Sequence, residues 1–158
     1  MTSFAKISLF LLRLGVGWFM LYAGITKVLN PEWSAAGYLK GAKTFAGLYQ
    51  WFAQPDILPI INFINEWGLT LLGVSLLLGI FVRLSSVLGA VLMLLYYFPV
   101  LQFPIIPPHS YIVDDHIINA LVLVVLASMQ AGRVWGLDSW CARLPLCSRC
   151  PRIRSLFG

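Results

Sequence analysis

Four long apolar runs constrain this chain more than any other feature. They cover Ile7–Leu29, Ile64–Val82, Val87–Leu101 continuing to Phe103, and Ile117–Met129. A helix needs about 20 predominantly apolar residues to cross the roughly 30 Å hydrocarbon core of a bilayer. Each run is therefore a candidate membrane span, and the sequence predicts an all-α protein, an integral membrane four-helix bundle.

The composition agrees with a lipid environment. Of the 158 residues, 59% are hydrophobic and only 11% are charged, whereas a soluble domain carries about 25% charged residues. A net charge of +5 would favour a nucleic-acid partner in a soluble protein. Here the cations flank apolar runs, so the expected partner is the lipid bilayer and no nucleic acid is expected.

The positions of the cations predict the orientation of the chain. If four helices cross, seven of the 11 Lys and Arg residues lie on one side, and Lys40 and Lys43 lie on the other. Because cytoplasmic loops are enriched in Lys and Arg, we expect a multi-pass protein of the plasma membrane with both termini in the cytoplasm. The first run carries Arg13 and lacks a small-residue cleavage site, so it is not interpreted as a signal peptide.

The chain divides into two parts. Residues 1–140 form the predicted transmembrane domain, with an aromatic outer loop at about 31–60, and residues 141–158 form a basic cytoplasmic tail. Within the loop, the apolar spacing of Tyr38–Phe52 predicts an amphipathic helix in the membrane interface. The alternative is an ordered loop packed on the helices. The tail contains three cysteines without an assigned role: Cys141, Cys147 and Cys150.

One face of the first run carries two cations and two glycines. Arg13, Gly17, Met20, Gly24 and Lys27 follow one another in steps of three or four residues, which places them on one helix face. Small residues mark close helix packing in membranes, so we expect Arg13 to face the other helices. Alternatively, both cations extend their side chains to the headgroups.

A second group of polar residues falls on the outer side. It comprises Lys27, Asn65, Glu66, Tyr96, Tyr97, Asp115, His116 and Asn119, with Trp18 as a candidate for the apolar lining. Together they predict a site for a polar headgroup or a small anion, in which an imidazole that titrates near neutrality suits proton transfer. The alternatives are that Glu66 complements the helix dipole and that an acidic residue merely caps the last helix.

A metal site is the weaker interpretation of the same residues. Glu66, Asp115 and His116 offer two oxygens and one nitrogen, but the sequence has no paired-histidine spacing and Lys27 would compete with a cation. Cys147 and Cys150 resemble half of a zinc knuckle without a fourth ligand. No bound metal is therefore expected.

Several motifs follow one another in an order that resembles the DoxX/DoxD family over about residues 6–140. They are Leu12-Arg13-x-x-x-Gly17, Asn65-Glu66-x-Gly68, Leu78-Gly79-Ile80-Phe81-x-Arg83, Asp114-Asp115-His116 and Ala131-Gly132-Arg133-x-x-Gly136-Leu137-Asp138. The aromatic insert after the first run looks more like the DoxD branch, the small membrane subunit of thiosulfate:quinone oxidoreductase.

This resemblance implies a function. With a second subunit, such a protein oxidises a small anionic substrate, thiosulfate, to tetrathionate and passes the electrons to quinone. The residues expected to be catalytic are then His116, Asp115 and Glu66. Those expected to bind substrate or quinone are Arg13, Lys27, Trp18, Asn65, Tyr97 and Asn119. The alternative is a non-catalytic membrane adaptor that recruits a redox or oxidative-stress partner enzyme.

Overall fold

The computed structural model describes residues 1–101 and 111–141, and every regular element in these ranges is helical. The helices are α1 (Ser3–Val28), α2 (Ala36–Lys40), α3 (Ala46–Phe52), α4 (Leu58–Leu78), α5 (Val82–Val100), α6 (Asp115–Ser128) and α7 (Asp138–Cys141), with a 3-10 turn at Ala131–Arg133. The predicted all-α class is confirmed. Residue 103, Cys147 and Cys150 lie outside the described residues.

Three helices, α1, α4 and α5, are long and apolar enough to cross a membrane. All three begin earlier than the predicted runs: Pro59 is accommodated in the first turn of α4, and Ser85 and Ser86 lie inside α5. The fourth predicted span corresponds to α6, whose 14 residues rise about 21 Å. By length alone, α6 is therefore shorter than a span.

The long helices share one apolar core. Helix α1 packs along α4, α5 packs along α6, and the core residues come from all four: Leu9, Met20, Leu69, Leu76, Met93, Leu123 and Leu126. A Cβ on Gly24 or Gly73 would overlap the backbone of the facing helix. The expected role of small residues in α1 packing is thereby confirmed, and close contact between α1 and α4 fixes which face of α1 turns inward.

The loop between α1 and α4 contains two short helices, so the single helix predicted over Tyr38–Phe52 is wrong. Helix α2 ends at Gly41, and Phe45 adopts a left-handed conformation (φ 53°) before α3 begins. Most of the apolar positions still face inward, although Phe45 is exposed, and Tyr49 donates its phenol hydrogen to the Leu95 carbonyl at 2.9 Å. The loop is therefore ordered and packed against α5.

Candidate functional site

Two polar clusters lie at opposite ends of the helical core. We call the end that carries the α1–α4 loop the loop end, and the cavity there the loop-end cavity. The other cluster surrounds Arg13, near the α4–α5 turn and the 3-10 turn, and is called the Arg13 cluster. The predicted site residues divide between these two places.

The loop-end cavity has a volume of about 340 Å³ and is mostly apolar. Its apolar lining comes from Phe19, Ala23, Trp33, Ala35, Leu69 and Met93, and its polar lining from Lys27, Ser34, Tyr38, Asn65, Tyr96 and His116. Three of the predicted site residues, Lys27, Asn65 and His116, therefore meet in one cavity. The volume lies within the range of about 300–1,000 Å³ that is typical of ligand pockets.

Lys27 supplies the cation of the cavity. Its Nζ donates to the carbonyl of Ala23 at 2.8 Å and lies 5.4 Å from the ring centroid of Trp33. An ammonium has three N–H donors, and the bond to Ala23 uses one. A ligand oxygen in the cavity can take another.

Two tyrosines and an amide form a hydrogen-bonded group beside Lys27. The Tyr96 phenol donates to Asn65 Oδ1, and the Tyr38 phenol donates to the Tyr96 carbonyl. Burial raises the pKa of Tyr38 to about 12, with further contributions from Tyr49, Asp114 and Asp115. At neutral pH the Tyr38 phenol therefore keeps its hydrogen and stays a donor.

His116 completes the cavity with a carboxylate partner. Its Nδ1 lies 2.7 Å from Asp114 Oδ2 and 3.4 Å from Asp115 Oδ1. Asp114 also caps α6 by accepting from the Ile117 N–H, whereas the Asp115 side chain is 74% exposed. The expected carboxylate within a few ångströms of the imidazole is present, but the nearer one is Asp114.

These three adjacent residues are also the candidate metal ligands. Asp114, Asp115 and His116 each offer one ligand atom, and the three atoms lie within 4.8 Å of one another. Glu66, the third ligand of the metal set considered from sequence, does not belong to this group. A run of exposed acidic residues at a helix start is common, so the cluster is better explained by capping and by the histidine contact.

The other predicted site residues do not line the cavity; they are Arg13, Trp18, Glu66, Tyr97, Asp115 and Asn119. Trp18 is exposed and stacks on Tyr22, and the Tyr97 phenol donates to the Ile112 carbonyl at 2.5 Å. Sequence reasoning placed Tyr96 on the same side as the other polar cavity residues, together with Tyr97, but missed Tyr38 as a cavity residue. The only signal for Tyr38 was its place in the aromatic loop that the sequence puts on the same side.

The Arg13 cluster encloses a buried cation. Arg13 is 0% exposed, and its guanidinium donates to the carbonyls of Ala131 (2.7 Å), Val134 (3.0 Å) and Trp135 (3.1 Å). Within the part of the chain that the structure describes, Nε is the one nitrogen of this side chain that is buried without a hydrogen-bond partner. The expectation that Arg13 faces the other helices is confirmed, and the headgroup-seeking alternative is wrong for this residue.

Asp138 is the acidic member of the Arg13 cluster, and sequence reasoning assigned it no role. Its carboxylate is buried and accepts from the N–H groups of Phe81 (2.8 Å) and Val82 (3.2 Å). Burial raises the pKa of Asp138 to about 6, although these two bonds and the nearby Arg13 and Arg133 act to lower it. The only signal in the sequence was its place at the end of the Gly136-Leu137-Asp138 motif.

Glycines leave no room for a ligand in the Arg13 cluster. A Cβ on Gly132 would overlap the Asp138 carboxylate, and one on Gly79 would lie 2.8 Å from Arg13 Nη1. The guanidinium and the carboxylate therefore bind backbone groups of the chain itself. The loop-end cavity, with open volume and unused donors, is the candidate functional site.

A comparison with known proteins identifies the family of this chain. No curated protein and no solved structure matches the chain. A family model described as DoxX matches residues 8–101, more than half of the chain. This range contains Lys27, Asn65 and Tyr96 of the cavity and ends before His116. DoxX is a membrane-associated family, in agreement with the three apolar helices, and the chain is a membrane protein that belongs to the DoxX family.

Proposed function

We propose that this protein is the membrane subunit of a quinone-linked oxidoreductase and binds the quinone headgroup in the loop-end cavity. The observation that carries the proposal is the combination of apolar walls with an ammonium, an amide and an imidazole in one space. A quinone ring is flat and apolar and carries carbonyl oxygens that accept hydrogen bonds. The cavity offers matching surfaces for both properties.

The cavity also borders the lipid-facing surface. Phe19 belongs to its lining and is exposed on the outside of α1. A lipid-soluble ligand could thus enter past this side chain without crossing water. This position favours a quinone over a hydrated anion as the occupant of the cavity.

The polar residues have separate tasks in this proposal. Lys27 and Asn65 donate hydrogen bonds to a carbonyl oxygen, and His116 exchanges a proton with the bound ligand. In the neutral tautomer with Nδ1–H, His116 donates to Asp114 at 2.7 Å, which leaves Nε2 available for the proton. Asp114 is a positioning residue because it orients the ring.

The electron donor is assigned from the DoxD resemblance. Two thiosulfate ions release two electrons when their sulfur atoms join in tetrathionate, and one quinone takes up two electrons and two protons. None of the described residues that line the cavity is a cysteine, so none of them offers a thiol that could carry sulfur covalently. We therefore assign sulfur oxidation to a second subunit.

The proposal includes the finer topology. Helix α6 serves as the fourth span, in a plasma-membrane protein whose termini are both cytoplasmic, and the loop end faces outward. Support comes from the excess of Lys and Arg on the opposite side and from α6 packing along α5. The exposed Trp51 and Phe45 of the loop suit the membrane interface.

The test is thiosulfate-dependent quinone reduction by the purified protein with its co-purifying partners. Loss of a general acid or base costs about 10²–10⁴-fold in rate, so His116→Ala should lower the rate about 100-fold. Gln130→Ala, at the opposite end of the core, is the control and should retain the rate. If the wild-type complex reduces no quinone, or His116→Ala is fully active, the proposal is wrong, and an inactive complex with a stably bound partner would favour the adaptor.

A further inference from the structure

We propose that Tyr96 makes the loop-end cavity selective for the oxidised form of its ligand, by holding the Asn65 amide so that its N–H donors face the cavity. The inference rests on the proposed quinone site and names the redox form that the site prefers. A carbonyl oxygen only accepts hydrogen bonds, whereas the hydroxyl of the reduced ring also donates one. Where the side chains around one ligand oxygen offer donors alone, the carbonyl is favoured over the hydroxyl at that position.

The Asn65 amide lines the cavity and is bonded on its oxygen side. Asn65 is only 9% exposed, and its Oδ1 accepts from the Tyr96 phenol. Within the described residues, its Nδ2 makes no hydrogen bond. Among the described residues, the buried polar side-chain atoms without a hydrogen-bond partner are Arg13 Nε and Ser86 Oγ. Asn65 Nδ2 is not one of them, so it is accessible. Because Asn65 lines the cavity, the two N–H donors are available to a ligand.

The Tyr96 phenol fixes the orientation of the Asn65 amide. If the Asn65 amide turned over, Nδ2 would meet the Tyr96 oxygen and the buried phenol hydrogen would lose its acceptor. Tyr96 is itself fixed, since its carbonyl accepts from the Tyr38 phenol and its ring packs at 6.4 Å from Tyr38 and 6.0 Å from His116, centroid to centroid. The phenol hydrogen therefore determines which end of the amide faces the ligand.

The ammonium of Lys27 lines the same cavity and cannot accept a hydrogen bond. Lys27 and Asn65 thus present only N–H groups to an oxygen placed between them. A carbonyl can use both groups, but a hydroxyl hydrogen at the same place would point at donors. After reduction the ligand should bind more weakly, and product release is favoured.

The experiment compares the affinities of a short-chain quinone and its quinol, measured anaerobically by calorimetry on the purified full chain in detergent. Tyr96→Phe releases the amide and should lower the ratio of quinone to quinol affinity about 3–10-fold, the range expected for one net hydrogen bond. Tyr49→Phe is the control, because it removes a phenol that donates to the Leu95 carbonyl and does not line the cavity. Its ratio should equal that of the wild type.

The outcomes separate this inference from the proposed function. If the wild type binds quinone and Tyr96→Phe keeps the wild-type ratio, the inference is overturned and the quinone site stands. If the wild type binds no quinone, both are overturned. Should Tyr96→Phe fail to fold, Asn65→Asp provides the same test, since replacing the N–H donors by an acceptor oxygen should shift the preference towards the quinol.

Discussion

The two ends of this protein use the same kinds of side chain for different purposes. Helix α1 carries the buried Arg13 in its middle part and the half-buried Lys27 near its C-terminal end. The Arg13 guanidinium makes three hydrogen bonds to carbonyls of residues 131–135, whereas the Lys27 ammonium makes one, to its own helix. A cation whose donors are used by the backbone holds the chain together, and one with free donors beside a cavity can bind a ligand.

The two ends also differ in the open volume around their charged groups. In the Arg13 cluster, glycines bring the backbone against the charged groups, and a single added methyl group would overlap them. At the loop end, the helices and the loop surround a cavity of about 340 Å³. We therefore expect substitutions in the Arg13 cluster to reduce stability and substitutions at the loop end to reduce ligand binding.

The largest effect should come from Arg13→Leu. The substitution removes three hydrogen bonds and leaves the carbonyls of Ala131, Val134 and Trp135 without this donor, and each buried polar group left unsatisfied costs about 1–3 kcal/mol. This is a large fraction of the total stability of about 5–15 kcal/mol. The yield of monodisperse protein in size-exclusion chromatography and the thermal unfolding midpoint should both fall.

Lys6→Leu is the matched control for Arg13→Leu, because Lys6 is an exposed cation on the same helix. Surface changes usually alter stability by less than about 0.5 kcal/mol. If both variants unfold at the same temperature, the Arg13 cluster does not stabilise the chain and the contrast between the two ends fails.

A smaller effect is expected from Asp114→Asn, measured against Asp115→Asn. Asparagine is as good an N-cap as aspartate, so α6 should remain intact, but the charged partner 2.7 Å from His116 is lost. The rate of quinone reduction should drop about 10-fold for Asp114→Asn and stay within about twofold for Asp115→Asn. If the two variants react at equal rates, Asp114 is not the residue that positions His116, and the exposed Asp115 that the sequence predicted is favoured instead.

The smallest effect concerns the pH dependence of stability. Because the folded pKa of Asp138, about 6, lies above its ordinary value of 3.8, the folded chain holds this proton more tightly than the unfolded chain. Its contribution to stability is complete below about pH 4 and is lost as the pH rises through 6. Unfolding temperatures measured from pH 4 to 7 should fall less steeply for Asp138→Asn, and identical slopes would contradict the enclosed position of the carboxylate.

Much of the fold followed from local patterns. Long apolar runs predicted α1, α4 and α5, and the glycines of α1 predicted its packing face. The single helix over Tyr38–Phe52 was wrong because its apolar spacing is interrupted where Gly41 ends α2 and Phe45 turns left-handed. Hydrophobic spacing reports which side chains face inward, but it does not report a break in the backbone between them.

The candidate site was predicted in part. Lys27, Asn65 and His116 were placed at one end by counting helices, and they line one cavity. Tyr96 and Tyr97 were both expected there, but only Tyr96 lines the cavity, since adjacent helical residues point about 100° apart and only packing decides which one faces it. Asp114 rather than Asp115 lies nearest the imidazole for a similar reason, because the cap position holds its carboxylate beside the ring.

The sequence by itself determined the helical class, the apolar helices and the level along the helices at which each charge lies, because these depend on spacing along one chain. The tertiary structure decided which charges are satisfied. The carbonyls that bind Arg13 lie more than 115 residues away along the chain, and Asp138 reaches N–H groups more than 50 residues away. Backbone groups have no residue-type signature, so their meeting with a charged side chain follows only from the packing of α1, α5 and the 3-10 turn.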